Sequence, residues 1–272
     1  PQFLLCKAVK EKLTSDPDDF ADMEMRFKDM VLSIVGGGSL SQMISRPVRY
    51  LFRDEIDEIV STSNINADLL KAVEETTAAF ANRKIVDTST PTTTIGNIWQ
   101  QLKTCQYVFE YWVPCPVCCE YQIMLWDRIK FDSQQDREAV ATSTWYECKK
   151  CKAVIKEIQK PDMVMQGKWL ARLSGGSVTA QEIVDYKDAE IENTISLEEV
   201  LNDHIVRKIG FHLPKWYALF HNTTFGAAAR EYLEAVDANK EYGDYTKLRD
   251  WSQYWAARPW VERAIPKAVT DV

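Results

Sequence analysis

Long apolar runs are missing from this sequence. No stretch approaches the roughly 18 residues that a membrane-crossing helix needs, so no membrane association is expected. The N-terminus has no basic stretch leading into an apolar one, so no secretory signal is visible. An excess of positive charge is missing too. With 33 Lys and Arg against 40 Asp and Glu the chain carries a net −7. That excludes a wholly basic surface but not a local DNA-contacting patch, because contact depends on where the charge sits. Repeats and low-complexity tracts are absent. Histidine is scarce: His204, His212 and His221 are scattered, and each reads as a structural or surface residue rather than a ligand. An initiator methionine is absent before Pro1, so the chain is expected to be an internal piece of a longer protein.

What remains is an ordinary globular composition, 46% apolar and 27% charged over 272 residues. It has room for one large domain or two modest ones. The first segment alternates strand and helix signals. An apolar run at 30–35 stops at Gly36-Gly37-Gly38, and a second at 48–52 stops at the acidic string Asp54-Glu55-Ile56-Asp57-Glu58. Asn66 is placed to cap a helix, with Asp68 in its first turn. Leu69, Leu70, Val73, Thr77 and Phe80 follow at helical spacing. A third strand starts at Lys84, and Ile95, Ile98, Trp99 and Leu102 predict another amphipathic helix. This βαβα order predicts a parallel sheet covered by helices. Without a further strand, its apolar edges predict poor solubility.

From about residue 107 to 158 the chain changes to aromatics, short apolar runs and two cysteine pairs, as suits a small β-rich module held by metal. Residues 173–195, polar after Gly175-Gly176, read as a connection. Ser196 and Glu199 form a capping box, 210–213 a strand, and Phe225 to Val236 a helix. A last helix rich in tryptophan spans about 245–257, with Pro259 beyond its end. Trp251, Trp255 and Trp260, among nine tryptophans, are expected to form a packing face for a further domain.

Cys115-Pro-Val-Cys118 and Cys148-Lys-Lys-Cys151 are two C-x-x-C pairs. Two thiolates on one tight turn span one edge of a tetrahedron, and a second such turn supplies the opposite edge, which is the demand of structural zinc. Lys149 and Lys150 are expected to help keep the thiolates ionised. Four sulfur ligands leave no open position, so this zinc would not be catalytic. The competing reading is a set of buried or free cysteines. Cys119 reads as a bystander, and Cys6 and Cys105 as core cysteines.

An apolar strand ending in Asp54-Glu55 has the layout of a Walker B element. Its Asp positions the Mg²⁺ of a bound nucleotide, and its Glu polarises the attacking water. Arg53 departs from the apolar residue such a strand carries, and a solvated acidic loop is the plainer reading. No G-x-x-x-x-G-K-[ST] loop occurs, and Gly36-Gly37-Gly38-Ser39 lacks the lysine that would reach phosphates. The chain alone is therefore not expected to bind ATP well. Thr88-Ser89-Thr90-Pro91-Thr92 is either a capped turn or a hydroxyl-lined sensor of phosphate.

Taken in order, these elements resemble the large terminase subunit of the lambda type, the GpA family. Ser45-Arg46-Pro47-Val48-Arg49-Tyr50-Leu51 leading into Asp54-Glu55-Ile56-Asp57 is similar to that family's Walker B region. Arg83-Lys84-Ile85-Val86 leading to Thr88-Ser89-Thr90-Pro91-Thr92 resembles its coupling motif. Tyr111-Trp112-Val113-Pro114-Cys115 through Cys118, then Glu120-Tyr121-Gln122 and Trp126, is similar to its first cysteine pair. Tyr146-Glu147-Cys148 through Cys151, Gly167-Lys168-Trp169, Gly210-Phe211-His212 and the helix around Arg230-Glu231-Tyr232 continue the match over roughly 30–260. Cys119 stands where the family tends to have Gly, and Gly36-Gly37-Gly38 replaces a Gly-Ala-Asn type sequence.

The resemblance implies an α/β fold: a partial P-loop (RecA-like) ATPase core with a parallel sheet, a four-cysteine zinc-ribbon insert and a helical C-terminal segment. Residues 1–106 would be the C-terminal half of the ATPase core, 107–170 the insert, and 171–272 a return to the core and a helical lead-in to a nuclease domain. The P-loop would lie upstream and the nuclease centre downstream. The implied function is ATP-driven translocation of double-stranded DNA into a capsid in the host cell cytoplasm, by a protein that is also an endonuclease. Asp54 and Glu55 would be catalytic, Thr88, Ser89 and Thr90 would couple hydrolysis to movement, and Cys115, Cys118, Cys148 and Cys151 would bind zinc. ATP and Mg²⁺ are the implied cofactors of the parent. The implied partners are DNA, the terminase small subunit, the procapsid portal protein and further copies of the chain. The rivals are a non-catalytic zinc-ribbon module binding DNA or protein, another P-loop motor such as a helicase, and a degenerate terminase-like protein that only assembles.

Overall fold

The computed structural model describes residues 6–16, 19, 23–37, 40–59, 69–173, 193–203 and 205–261. The expected cap at Asn66 and Asp68, the Gly38-Ser39 and Gly175-Gly176 positions and His204 lie outside the described residues. The chain forms two compact units, Pro1–Thr88 and Ser89–Val272. Residues from all three sequence-predicted segments, 1–106, 107–170 and 171–272, contribute to the second.

In the first unit, short helices α1 (Lys7–Lys10) and α2 (Leu40–Met43) accompany an antiparallel hairpin of β1 (Glu24–Arg26) and β2 (Val31–Ser33). Strand β3 (Tyr50–Arg53), helix α3 (Leu69–Glu75) and strand β4 (Lys84–Asp87) follow. β3 and β4 pair in parallel, from Tyr50 opposite Lys84 to Arg53 opposite Asp87. Parallel neighbours need a crossover, and α3 lies on it. Ile56, Leu70, Val73 and Thr77 form its small buried interior. The helix stops at Glu75, before Thr77 and Phe80, because Thr76 and Thr77 turn their hydroxyls back onto the carbonyls of Val73 and Glu74. Tyr50, Phe52 and Val86 stay exposed on the strand pair.

Arg53 corrects the expectation of an apolar residue at the end of β3. It is buried, and its guanidinium grips Asp87 in a two-pronged pair, Nε to Oδ1 at 2.7 Å and Nη2 to Oδ2 at 2.8 Å. Nη1 donates to the Leu70 carbonyl at 2.6 Å. One side chain thus ties both strands and the crossover helix together, a geometry for which the planar arginine fork is suited.

The second unit starts with α4 (Asn97–Lys103), which buries Trp99. Ile95, expected on this helix, precedes it and is exposed. A mixed sheet runs in the order β11 (Thr194–Ser196), β10 (Lys168–Arg172), β5 (Tyr107–Pro114), β12 (Ile209–His212). β12 is parallel to β5 and the others are antiparallel to their neighbours. β6 (Tyr121–Ile123) pairs with the far end of β5. A second sheet joins β7 (Ile129–Lys130), β8 (Trp145–Glu147) and β9 (Val154–Ile155), all antiparallel. The helices are α5 (Arg137–Ser143), α6 (Lys160–Met165), α7 (Leu197–Leu201), α8 (Phe225–Tyr242) and α9 (Thr246–Tyr254). Asp136 caps α5, and Ser196 with Glu199 forms the expected capping box of α7. Gly243, at φ 66°, ends α8 in the left-handed conformation.

The tryptophans are a second correction. Trp251 and Trp255 do not form an outward packing face; both are buried in this unit's own core with Trp216 and Phe225. Each indole N–H has a partner: Trp216 donates to the Met124 carbonyl at 2.8 Å, Trp251 to that of Ala228 at 3.0 Å, and Trp255 to the Glu231 carboxylate at 2.6 Å. A buried indole usually needs its donor satisfied in this way. Trp260 is half-buried beside Tyr245.

Gly226 marks where α8 meets α5. A Cβ there would lie 1.9 Å from the Ala141 carbonyl oxygen, which is backbone and cannot rotate away. Gly226→Ala is expected to cost about 3 kcal/mol, well beyond the ~1 kcal/mol that alanine gains in helix propensity. A lowered midpoint in urea checks it; an unchanged midpoint would mean that the helices separate freely.

His212 on β12 is buried, opposite Glu110 of β5. Glu110 is locked by Arg172 of β10, Nε to Oε2 at 2.6 Å and Nη2 to Oε1 at 2.9 Å. His212 Nε2 lies 2.9 Å from the Ala257 carbonyl, which can only accept, so Nε2 carries the proton. Burial, together with Arg258 and Arg172, lowers the His212 pKa to about 4. Between the ordinary value of about 6.5 and 4, the unfolded chain takes a proton that the folded chain refuses. Stability therefore falls as pH drops through that window, by up to about 3 kcal/mol from this residue. Urea midpoints at pH 7 and pH 5, with His212→Gln losing much of the difference, check this.

Candidate functional site

Two constellations carry chemistry, one in each unit. In the first unit β3 ends at Arg53, and Asp54-Glu55 makes the turn that follows. Glu55 has φ 49°, in the left-handed region that non-glycine residues seldom occupy. Thr88, just past the end of β4, holds this turn at three points. Its N–H donates to the Arg53 carbonyl at 2.9 Å, its carbonyl accepts from Ile56 N–H at 3.2 Å, and its hydroxyl donates to Asp54 Oδ1. Glu55 N–H donates to the same oxygen at 3.1 Å. Asp54 and Glu55 are exposed at the C-terminal end of the parallel pair, and Ile56 beside them is fully buried as an anchor. Open α/β sheets place ligands beyond the carboxyl ends of their strands, and these carboxylates stand at such an end. Ser89 and Thr90 continue the chain from Thr88, with the Ser89 hydroxyl donating to the Thr90 carbonyl at 3.1 Å.

In the second unit each cysteine pair forms the turn of a hairpin. β5 delivers Cys115 and β6 returns; β8 delivers Cys148 and β9 returns. The turns are built alike. Cys115 N–H donates to the Glu120 carbonyl at 2.9 Å, and Cys148 N–H to that of Ala153 at 3.0 Å, five residues on in both. Cys119, at φ 60°, and Lys152, at φ 59°, occupy the same place in the two turns. The left-handed backbone there accounts for a position at which glycine is favoured, and Cys119 turns outward, away from the cluster.

The Sγ atoms of Cys115, Cys118, Cys148 and Cys151 all lie within 4.8 Å of one another. Cys115 and Cys151 are 3.8 Å apart, and Cys118 and Cys148 are 3.7 Å apart. A tetrahedron with metal–sulfur bonds of about 2.3 Å has edges of about 3.8 Å, so the four thiols can hold one metal ion without moving far.

Burial pushes the Cys115 thiol up to about 12. For Cys148 burial pulls the same way, yet the backbone N–H groups of Cys151 and Lys150 and the neighbouring thiols bring it down to about 7. The cluster thus favours a thiolate at Cys148. Of the two lysines expected to help, Lys150 contributes through its backbone N–H. Lys150 Nζ goes instead to Glu120 at 2.5 Å. Cys105 is half-buried beside Val108, whereas Cys6 is exposed and is not a core residue.

The structure thus brings Asp54, Glu55 and Thr88 together, and separately the four cysteines. Sequence reasoning gave no role to Arg53 and Asp87, which fix the strand ends under the acidic turn, or to Gln122, whose amide touches the cysteine cluster. The pairing of Arg53 with Asp87 was readable only as a buried charge at the same place in consecutive strands.

Among the described residues no helix is long and apolar enough to cross a membrane. No curated protein and no solved structure matches the chain. Two family models do: phage terminase large subunit gpA, ATPase domain, over residues 1–169, and terminase large subunit gpA, endonuclease domain, over residues 208–271. The first takes in the acidic turn, Thr88 and all four clustered cysteines and by itself covers more than half of the 272 residues. The chain belongs to the family of phage terminase large subunits of the gpA, lambda, type.

Proposed function

We propose that this chain is a working part of an ATP-driven motor that moves double-stranded DNA into a phage capsid, and that Asp54 and Glu55 are its hydrolytic carboxylates. The observation that carries this is the triple hold of Thr88 on the Asp54-Glu55 turn. A solvated acidic loop needs no such fixing, whereas a hydrolytic glutamate must be held in place. Asp54 would hold the nucleotide's Mg²⁺, and Glu55 would act as the base for the attacking water. Thr88 bonds Asp54 directly and leads into Ser89 and Thr90, so a change at the carboxylate is felt at the start of the following segment. That is the coupling role. ATP and Mg²⁺ would supply the phosphoanhydride and its charge neutralisation, with a P-loop cradling the phosphates.

The four cysteines are assigned to structural zinc. Their sulfur-only donor set and the two 3.7–3.8 Å spacings support it. Bound zinc would cross-link the two hairpins and, with four protein ligands, offer no position for chemistry. The 107–170 segment then acts as a zinc ribbon, and 208–271 as the start of the nuclease region. Further partners would be the terminase small subunit, the procapsid portal and other copies of the motor, in the host cytoplasm. DNA would be held through its phosphates, since a motor must pass any sequence. A non-catalytic zinc-ribbon module remains the rival. The test is DNA-stimulated ATP hydrolysis by the terminase in which this segment follows its P-loop; a rate that ignores both DNA and Glu55 would leave only the rival.

A further inference from the structure

We propose that Gln122 is a positioning residue of the metal centre, holding the Cys148 sulfur and the second cysteine turn in place for the ion. The proposal rests on the zinc reading above and concerns a residue outside the four ligands. Gln122 lies on β6, the return strand of the first cysteine hairpin, yet its side chain crosses to the second. It is 2% exposed. Its Oε1 accepts the backbone N–H of Lys149 at 2.7 Å, and its Nε2 donates to Cys148 Sγ at 3.6 Å.

The amide cannot be turned the other way round. A backbone N–H only donates, so it requires the oxygen, and the NH₂ group is left facing the sulfur. An N–H directed at a thiolate takes up part of its charge, and an amide anchored at its other end also fixes where that sulfur points. Outer contacts of this kind set metal affinity and exchange. The first hairpin thereby supplies two ligands of its own and orients a third on its neighbour. The cross-hairpin pair of Lys150 with Glu120 differs: its ammonium is solvent-exposed and its carboxylate only half-buried, so it should matter little.

The experiment compares the 272-residue chain with Gln122→Leu, Gln122→Glu and Glu120→Gln. Cobalt(II) is the spectroscopic probe, and zinc transfer to a chromophoric chelator is the kinetic one. Gln122→Leu removes both contacts. Gln122→Glu keeps the acceptor for Lys149 but sets a carboxylate oxygen against the sulfur, and it decides the question if the leucine variant fails to fold. Both Gln122 variants should release zinc at least ~10-fold faster and shift the thiolate-to-cobalt charge-transfer band to lower energy. Glu120→Gln should match the parent chain. Wild-type release and band position in Gln122→Glu would overturn the proposal, since Gln122 would then act only through the Lys149 loop. Equal acceleration by Glu120→Gln would overturn it too, because any link between the hairpins would suffice. If the parent chain takes up neither cobalt nor zinc, the zinc reading fails first, before any variant is compared.

Discussion

Cys148→Ser is expected to abolish metal binding and with it the folded core of the second unit. Metal content should fall from about one ion per chain to nearly none. Serine offers a hydroxyl that stays protonated at neutral pH and is a poor ligand for a soft ion. The consequence goes beyond the site because the site is not peripheral. Cys115 and Cys148 are buried in the same cluster as Tyr146, Ile155, Trp216, Phe225, Trp251 and Trp255. Structural zinc sites release on the order of 10 kcal/mol or more when they form, as much as the whole net stability of a typical domain. Losing the ion should therefore remove the cooperative unfolding transition and the near-ultraviolet signal of the tryptophan core. A chelator added to the parent chain should reproduce both losses. Cys119→Ser is the control: Cys119 is exposed and stands outside the cluster, so metal content and transition should be unchanged. A Cys148→Ser chain with full metal and an intact transition would remove zinc from the architecture.

The cysteine pairs were readable because the signal is local: a C-x-x-C turn brings two sulfurs together whatever surrounds it. The opposite was true of the left-handed positions. Glycine usually advertises them, and Cys119, Lys152 and Glu55 do not. The strand leading into Asp54 was readable from its apolar run, but Arg53 looked like a flaw. Its partner Asp87 lies 34 residues on, and only the parallel register sets the two side by side. Distance in sequence hid the sheet of the second unit in the same way. β12 joins β5 across roughly a hundred residues, and no local pattern announces such a neighbour. Trp251 and Trp255 were expected to pack against a further domain, and nothing local in the sequence says that this unit's own core covers them. Trp251 packs there against Trp126, Trp216 and Tyr232, which come from three other stretches.

Glu55→Gln, made in the terminase that carries both its P-loop and this segment, is expected to lower DNA-stimulated ATP hydrolysis by roughly 10²- to 10⁴-fold, the usual worth of a positioned general base. Glutamine keeps the length and shape of the side chain, and the backbone bonds that hold the turn involve Thr88, Arg53 and Ile56 rather than the Glu55 carboxylate. What the variant lacks is a group able to take the proton from water. Nucleotide binding should therefore persist while turnover stops, and DNA should be held without being moved. Asp54→Asn should differ in kind. It weakens the interaction with Mg²⁺, so raising magnesium should recover part of the rate. Thr88→Val removes the hydroxyl bonded to Asp54 Oδ1 but leaves both backbone bonds of the residue. It should lower the rate less than Glu55→Gln and lower DNA movement per ATP hydrolysed, because the link between the carboxylate and the following segment is what it loses. Single-turnover hydrolysis and packaging assays run side by side separate the three. Wild-type turnover in Glu55→Gln would return the acidic turn to a solvated loop, and the strained backbone at Glu55 would then need another cause.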